Sequence, residues 1–514
     1  MSSFAYNQRA RLATIVARSP VLRNTLVGLL AVMLGLAGGA AVAFGPFWAA
    51  FAALAALALA CAMLLHTSVG LAVVLFIITV LPFGTLPFKA IITPNFLELA
   101  LLLLMGVWLV RLLVRPAEPL QLTPLGLPLI GFLGLTLFSF ILGSGGSPDP
   151  LTLHNYFKFV LGVLFFFSVV NCVRTRNQMR WALRFLIVGG AISALIGLVL
   201  YFMRDDMALR VLVSLGRIGY PTSGRVLRYV EDDPSGVERA IGFAVDPNSF
   251  GGMLALVGAL TATQAAAEKP LLPKPWLAAM AGVMVLALFL TQSRAALGGL
   301  IAATMYVATL RYRRLWWAIL GAGALAVFLF VGLGIGEQFV ERVTQGVQFR
   351  DRANQMRLAE YQNAIAIIRA YPLFGIGFGQ APEIDLVAGV SSIYLALAER
   401  TGLAGLSAFL GIVAAFFMRS WHTLRRIVRE QGDEERGAWL VGLQAGVVAA
   451  LAVGLLDHYF FNIEFSHMVA LFWGSIGLAL ALEQTTDDAR RAMMDGWQAE
   501  NSLSSGVSRP SSEL

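Results

Sequence analysis

The chain has 514 residues, of which 58% are hydrophobic and 13% are charged, and its mean hydropathy is +0.75. A soluble protein of this size carries about 25% charged residues, so the composition excludes an ordinary soluble enzyme and predicts a polytopic membrane protein. The net charge of +8 is interpreted as loop orientation and not as affinity for nucleic acid, because Lys and Arg concentrate in cytoplasmic loops. Cys61 and Cys172 lie in apolar runs, so neither a disulfide framework nor a metal cluster is expected.

The chain begins with a polar tail over residues 1–23, which is interpreted as an uncleaved cytoplasmic segment. A membrane domain follows over residues 24–484, with about fourteen apolar runs of the length that crosses a bilayer. The runs show no period-2 alternation, so an all-α helical bundle is predicted and a barrel is not. Alternate short loops are rich in arginine, which predicts that both termini are cytoplasmic. The Ser-rich tail over residues 485–514 is predicted to be disordered.

Two long polar loops interrupt the apolar runs, at residues 204–246 and 336–401. Both are predicted to lie outside the cytoplasm, because long loops cross the membrane regardless of their charge. A polar loop as long as the second one is usually functional. The ionisable residues beside the spans also collect towards this outer side, whereas a transporter would place some of them at mid-depth. The pattern therefore favours an enzyme that works at the outer leaflet.

The end of the first long loop is the first candidate site. Arg239 precedes Asp246-Pro247-Asn248, which begins a span with proline at an allowed helix-start position. The helix N-terminus offers free N–H groups to an anion. Two interpretations remain open: either Arg239, Asp246 and Asn248 bind substrate, or Asp246 and Asn248 cap the helix and Arg239 is an interfacial anchor.

Two further arginines are candidate phosphate ligands. Arg294 follows Thr291-Gln292-Ser293, which interrupts an apolar stretch and predicts a tight outer turn between two helices. A guanidinium suits phosphate oxygens because its donors form a planar fork; the alternative is that Arg294 reaches lipid headgroups. Arg357 lies on an amphipathic helix predicted to lie across the membrane face.

The second long loop ends in a glycine-containing turn and a short helix. Gly375, Gly377 and Gly379 lack the preceding strand and spacing of a dinucleotide fingerprint. They are interpreted as a tight turn in which backbone approaches backbone or ligand. The segment 391–400 is predicted to be a short helix that enters a span at Gly402.

Taken together, these motifs resemble those of the O-antigen ligase and Wzy-type polymerase superfamily, over about residues 239–410. The matching motifs, in chain order, are Arg239-x-x-Gly242-x-x-x-Asp246-Pro247-Asn248, Ser293-Arg294, Arg357-Leu358-x-x-Tyr361, Pro372-Leu373-x-Gly375-x-Gly377 and Tyr394-Leu395-x-x-x-x-Glu399-x-x-Gly402-x-x-Gly405-Leu406.

The resemblance implies a metal-independent glycosyltransferase of GT-C-like helical architecture in the bacterial inner membrane. Such enzymes use no cofactor and move a glycan from an undecaprenyl diphosphate carrier to a glycan or lipid acceptor at the outer leaflet. It implies that Arg239, Arg294 and Arg357 bind the diphosphate. Asp246, Asn248, Tyr394 and His458 are the expected substrate-binding residues.

The sequence departs from the family at the expected catalytic histidine, where Ser391 stands. A hydroxyl is a poor unassisted base, whereas histidine titrates near neutrality. Glu383 and Asp385 are therefore candidate catalytic residues beside Ser391, although both also fit solvated loop carboxylates. The missing histidine favours a polymerase of surface polysaccharide over a ligase. A transporter or flippase of lipid-linked solutes, or an inactive assembly partner, also fits the pattern.

Overall fold

The computed structural model describes residues 58–59, 61–63, 66–86, 93–114, 120–145, 147–222, 224–328, 352–379, 390–430 and 432–483. These residues are mainly helical, as the apolar runs predicted. The helices are α1 Thr67–Val80, α2 Phe96–Val114, α3 Gly126–Gly143, α4 Pro150–Cys172, α5 Arg176–Phe202, α6 Asp205–Ser214, α7 Pro247–Ala266, α8 Lys274–Leu290, α9 Arg294–Leu310, α10 Leu315–Val327, α11 Arg352–Ala370, α12 Ile393–Arg425, α13 Glu434–Val453 and α14 Ser466–Glu483.

Seven helices in the described ranges are long and apolar enough to cross a membrane: α3, α4, α5, α7, α12 with its extension to Arg429, α13 and α14. Three shorter apolar helices, α1, α8 and α9, accompany them. The chain is thus a multi-pass membrane protein. The prediction of about fourteen spans stays a prediction, because several of those runs lie outside the described residues.

The centre of the bundle is formed by α7, α13 and α14. In α7 83% of the membrane-length window is buried, in α14 94%, and in α3 only 33%. Glycines let α7 and α13 pack closely: a Cβ at Gly446 would lie 3.1 Å from the carbonyl oxygen of Leu256. Helices in a bilayer associate largely by this close backbone approach. These central helices form a rigid support for the loops at their ends.

Ion pairs tie together one end of the bundle, here called the basic end. Arg176 and Arg180 on α5 contact Glu435 at the start of α13, at 2.5 and 2.8 Å. Arg311 after α9 pairs with Glu434, and Arg419 on α12 with Glu483 at 2.5 Å. The arginine-rich loops that were predicted to share one side of the membrane therefore do share one end of the fold. The opposite end carries the candidate site and is called the site end.

The described part of the first long loop is a helix followed by a small hairpin. The amphipathic helix α6 is followed by two strands, β1 Arg228–Tyr229 and β2 Glu238–Arg239. They are antiparallel, with Arg228 opposite Arg239 and Tyr229 opposite Glu238. A hydrogen bond from the Ala240 N–H to the Leu290 carbonyl oxygen, at 2.9 Å, ties β2 to the end of α8. The hairpin is thereby fixed above the α8–α9 turn.

A helix break at Gly402 divides α12, and the glycine turn fills the break. Gly402 has φ 68° and ψ −176°, a conformation restricted essentially to glycine. The break releases backbone groups from the helix ladder. The Glu399 and Arg400 carbonyls accept from the N–H groups of Ile376 and Gly377, and the Leu403 N–H donates to the Pro372 carbonyl. The prediction of a short helix that enters a span at Gly402 is confirmed.

Candidate functional site

The loop from Arg239 to Asn248 is built around a helix cap. The Asp246 carboxylate accepts from the N–H groups of Asn248 and Ser249, at 2.8 and 2.9 Å, and Pro247 is the first residue of α7. The capping interpretation of Asp246 is therefore realised. Val245 directly before it has φ 67°, which is rare and strained for a β-branched residue. Strain of this kind persists only where the surroundings impose it, and it is often found at functional sites.

Arg239 is held in a fixed orientation by two hydrogen bonds. Its Nε donates to the carbonyl oxygen of Thr291 at 2.8 Å, and its Nη2 donates to the Asn248 Oδ1 at 2.6 Å. Burial lowers the pKa of the guanidinium, and the nearby Asp246 carboxylate opposes this shift. Arginine remains charged in proteins despite such shifts. The result is a preorganised cation whose Nη1 is in neither of these two hydrogen bonds.

A cavity of about 740 Å³ lies beside Arg239, and arginines dominate its charge. Its lining carries four arginines against three carboxylates. We call it the arginine cavity; it is lined by Arg225, Arg228, Tyr229, Glu231, Asp232, Arg239, Asn248, Met356, Arg357, Glu360 and Ser391. Arg239 and Arg357, which are 118 positions apart in the chain, thus face one space. Arg225 and Arg228 were not predicted, because they lie in a polar loop without a helical pattern.

Ser391 lines the arginine cavity, and its backbone is fixed by α11. The Ser391 N–H donates to the Glu360 Oε2 at 3.0 Å. The Tyr361 hydroxyl lies 3.0 Å from the Ser391 carbonyl oxygen and 3.1 Å from that of Leu455, so its one proton is shared between them. These contacts hold α11 against the start of α12 and the end of α13. They place Ser391 at the wall of the arginine cavity.

The other predicted site residues take different positions. Arg294 is the first residue of α9 and is exposed, and it is not among the residues that line the arginine cavity. The turn before Arg294 contributes to the site through the Thr291 carbonyl oxygen, which accepts the hydrogen bond from Arg239 Nε. The Tyr394 hydroxyl donates to the carbonyl of Leu451 at 2.9 Å and so joins α12 to α13. Glu383 and Asp385 lie outside the described residues.

His458 lines a second cavity, of about 360 Å³. We call this the second cavity; it is lined by Leu151, Thr152, Asn155, Phe378, Val390, Ala396, Glu399, Arg400, His458, Phe461, Asn462, Ile463 and Glu464. Burial lowers the pKa of His458 to about 4. Val390 lines the second cavity while the next residue, Ser391, lines the arginine cavity. The two cavities therefore flank one short piece of backbone.

A buried carboxyl group interacts with Arg239 and Arg357, although it is not among the residues that line the arginine cavity. Asp457 is 4% exposed, and its Oδ2 has no hydrogen-bond partner among the described residues. Burial and the nearby Asp246 raise its pKa to about 8, although Arg357 and Arg239 oppose the shift. The adjacent Tyr459 bonds to Asp246 through its hydroxyl. The sequence signal was an Asp-His pair at the end of an apolar span, which indicated position but not chemistry.

Within the ranges that the structure describes, no three His, Cys, Asp or Glu side chains are grouped as a metal ion would require.

The apolar bundle and its arginine cavity define a membrane protein with an arginine-lined cavity at one end. Residues 279–410 match the family model described as O-antigen ligase. This match confirms, over that range, the resemblance to the O-antigen ligase and Wzy-type polymerase superfamily. The matched range includes Arg294, Arg357 and the Gly402 break, whereas Arg239 lies before it. A search of curated proteins finds no match.

Proposed function

We propose that this protein is a glycosyltransferase of the bacterial inner membrane that polymerises glycan repeats carried on undecaprenyl diphosphate. The observation that supports it is the arginine cavity, in which Arg239 and Arg357 meet from distant parts of the chain. Guanidinium groups bind phosphate oxygens in a planar, bidentate manner. The proposal includes a GT-C-like bundle of about fourteen spans, with both termini cytoplasmic and the arginine cavity at the outer leaflet.

In the proposed reaction, stabilisation of the departing carrier diphosphate lowers the barrier more than any other single effect. The acceptor hydroxyl oxygen forms a bond to the anomeric carbon while the bond from that carbon to the diphosphate oxygen breaks. The bonding electrons leave with the carrier diphosphate. In the proposed complex Arg239 and Arg357 lie near the developing negative charge. Arg239 is held by two hydrogen bonds, and one preorganised donor of this kind is worth about 3–4 kcal/mol. Arg294 would act from the neighbouring turn on the headgroup side.

The acceptor hydroxyl must lose its proton as the new bond forms. Asp457 is the group placed to accept it, because it is buried beside both arginines and has a free Oδ2 among the described residues. A carboxylate with a pKa of about 8 is a much stronger base than an ordinary one, and general bases work best when their pKa lies near the operating pH. Glu383 and Asp385 remain the alternative bases, and Ser391 would position substrate.

Polymerisation is preferred to ligation because Ser391 replaces the histidine of the ligases. The experiment uses the purified protein in nanodiscs. Its substrate is the lipid-linked oligosaccharide extracted from a strain in which the gene for this protein is deleted. A polymerase lengthens the glycan on its carrier and releases undecaprenyl diphosphate. A ligase instead moves the glycan to a separate lipid acceptor.

Transport of lipid-linked solutes is the second candidate function, because many spans and a polar cavity also fit a transporter. A flippase would leave the lipid-linked oligosaccharide chemically unchanged. If the substrate remains intact after prolonged incubation with folded protein, the transferase proposal is overturned. Comparing Asp457→Asn with Glu383→Gln and Asp385→Asn then separates the candidate proton acceptors: the Glu383 and Asp385 variants keep their turnover if Asp457 is the base.

A further inference from the structure

The second cavity has the features of a binding site of its own. Its volume of about 360 Å³ is at the lower end of the range of about 300–1,000 Å³ that is common for small-molecule sites. That size suits one or two sugar rings of a glycan that extends out of the cavity, and not a polyprenyl chain. Most such pockets combine apolar walls with a few fixed polar groups, and this one does as well.

Its polar groups are buried and ready for hydrogen bonding. Asn155 is 7% exposed and Glu399 6%, and both line the cavity. The His458 Nδ1 is buried without a hydrogen-bond partner among the described residues. Burying such groups is costly unless a ligand or water satisfies them. Amide, carboxylate and imidazole groups together can both donate to and accept from sugar hydroxyls.

Two aromatic rings form the apolar wall. Phe378 and Phe461 line the cavity, and their ring centroids are 6.1 Å apart. Arg400 holds the turn that carries Phe378, since its Nη1 donates to the carbonyls of Gly377 and Gly379, at 3.3 and 3.0 Å. The rings are therefore fixed in place before any ligand binds. Flat apolar rings next to convergent polar groups match the two kinds of surface that a sugar ring presents.

The charge of the second cavity differs from that of the arginine cavity. Its lining has the carboxylates of Glu399 and Glu464 against one guanidinium, that of Arg400, which lies 3.7 Å from Glu399 and leaves the Glu464 carboxylate uncompensated within the lining. His458 is neutral at pH 7 because burial lowers its pKa to about 4. A lining with this balance disfavours phosphates and uronic acids, because like charges repel. It accepts neutral or amino sugars.

We propose that the second cavity binds the acceptor glycan through neutral or amino sugar residues, separately from the diphosphate carrier in the arginine cavity. The closeness of the two cavities supports this division of roles, because the consecutive residues Val390 and Ser391 line the second cavity and the arginine cavity, respectively. Asp457 and His458 are also consecutive, with Asp457 beside the arginines and His458 in the second cavity. The role as acceptor site rests on the proposed function; the binding of saccharide does not.

The test measures binding of three trisaccharides to the protein in nanodiscs by saturation-transfer NMR. The probes are chitotriose, which is neutral, its deacetylated amino form, and trigalacturonate, which is acidic. The neutral and amino trimers bind, and the acidic trimer binds at least about tenfold more weakly, the loss expected when a few hydrogen bonds are replaced by repulsion. Ala396→Phe fills the cavity and abolishes binding.

One variant serves as the control for Ala396→Phe, and another tests the charge of the cavity. Ala414→Phe adds the same ring to an exposed position of the same helix and leaves trisaccharide binding unchanged. Glu399→Gln keeps hydrogen-bonding capacity but removes a charge, so it weakens the amino trimer more than the neutral one. Thermal melts and binding of undecaprenyl diphosphate show that each variant is folded.

The outcomes separate this inference from the proposed function. If Ala396→Phe binds the trimers like the wild type, or if Arg239→Ala and not Ala396→Phe abolishes their binding, the second cavity is not the saccharide site. The absence of binding by any trimer also overturns it. If the trimers bind as expected but no glycan is ever transferred, the proposed function fails and the saccharide site stands.

Discussion

Arg239→Ala is the most direct test of the arginine cavity. The wild-type guanidinium is fixed by Thr291 and by Asn248, at 2.8 and 2.6 Å, so it needs no reorganisation when negative charge develops. Loss of one such donor costs about 3–4 kcal/mol. Since 1.36 kcal/mol corresponds to about tenfold in rate, kcat should fall by about two to three orders of magnitude. KM for the donor should change less, because the interaction strengthens in the transition state.

The mechanism also predicts how Asn248 contributes. Asn248→Ala removes the acceptor for Arg239 Nη2, and a hydrogen bond to a charged group is worth about 1.5–3 kcal/mol. The rate should fall by about 10-fold to 100-fold. The double variant Arg239→Ala/Asn248→Ala should be no worse than Arg239→Ala alone, because the amide acts only through the guanidinium.

The assay follows release of undecaprenyl diphosphate from the extracted lipid-linked oligosaccharide. Arg204→Ala is the matched control: Arg204 is 81% exposed and contacts Asp206, so its loss should leave the rate unchanged. The reasoning is refuted if Arg239→Ala and Arg204→Ala have the same small effect. It is also refuted if the Arg239 and Asn248 variants are additive, since independent effects would mean that Asn248 does not orient the guanidinium.

Three further predictions follow from the structure. The transfer rate should rise with pH up to about 8, the pKa of the buried Asp457, and then level off, because the base must be deprotonated; a profile that stays flat in the wild type would exclude this carboxyl group as the base. The same raised pKa means that the folded protein keeps a proton on Asp457 that the unfolded chain loses near pH 4. The free energy of unfolding should therefore fall as the pH rises from about 4 to about 8. In thermal melts, Asp457→Asn should remove this dependence on pH. Gly402→Ala should lower the free energy of unfolding by several kcal/mol, because the alanine Cβ would lie 2.1 Å from the Leu373 carbonyl oxygen in a conformation closed to alanine. Gly411→Ala on the same helix is the control: no atom lies within 4 Å of its Cβ, so its stability should be unchanged or higher by about 1 kcal/mol. Equal melting temperatures for the two variants would contradict the account of the helix break.

Several features of this protein follow from the sequence alone, because the physics behind them is local. Long apolar runs need a bilayer, so the membrane class was evident from composition. The Asp246-Pro247 pair fixes the start of α7 through a cap and a preset proline, which are short-range effects. The glycine turn and the helix that breaks at Gly402 could also be predicted, because few residues tolerate positive φ.

Only the tertiary structure decided which of these residues share a space. Arg239 and Arg357 line one cavity because β2 is tied to α8 and because α11 is pinned through Tyr361 to the ends of α12 and α13. Arg294 has the same residue type and a matching motif, yet it starts α9 on the exposed side. Asp457 becomes a candidate base only through burial beside Asp246. Desolvation and long-range contacts depend on packing between distant segments, and no local pattern in the chain encodes them.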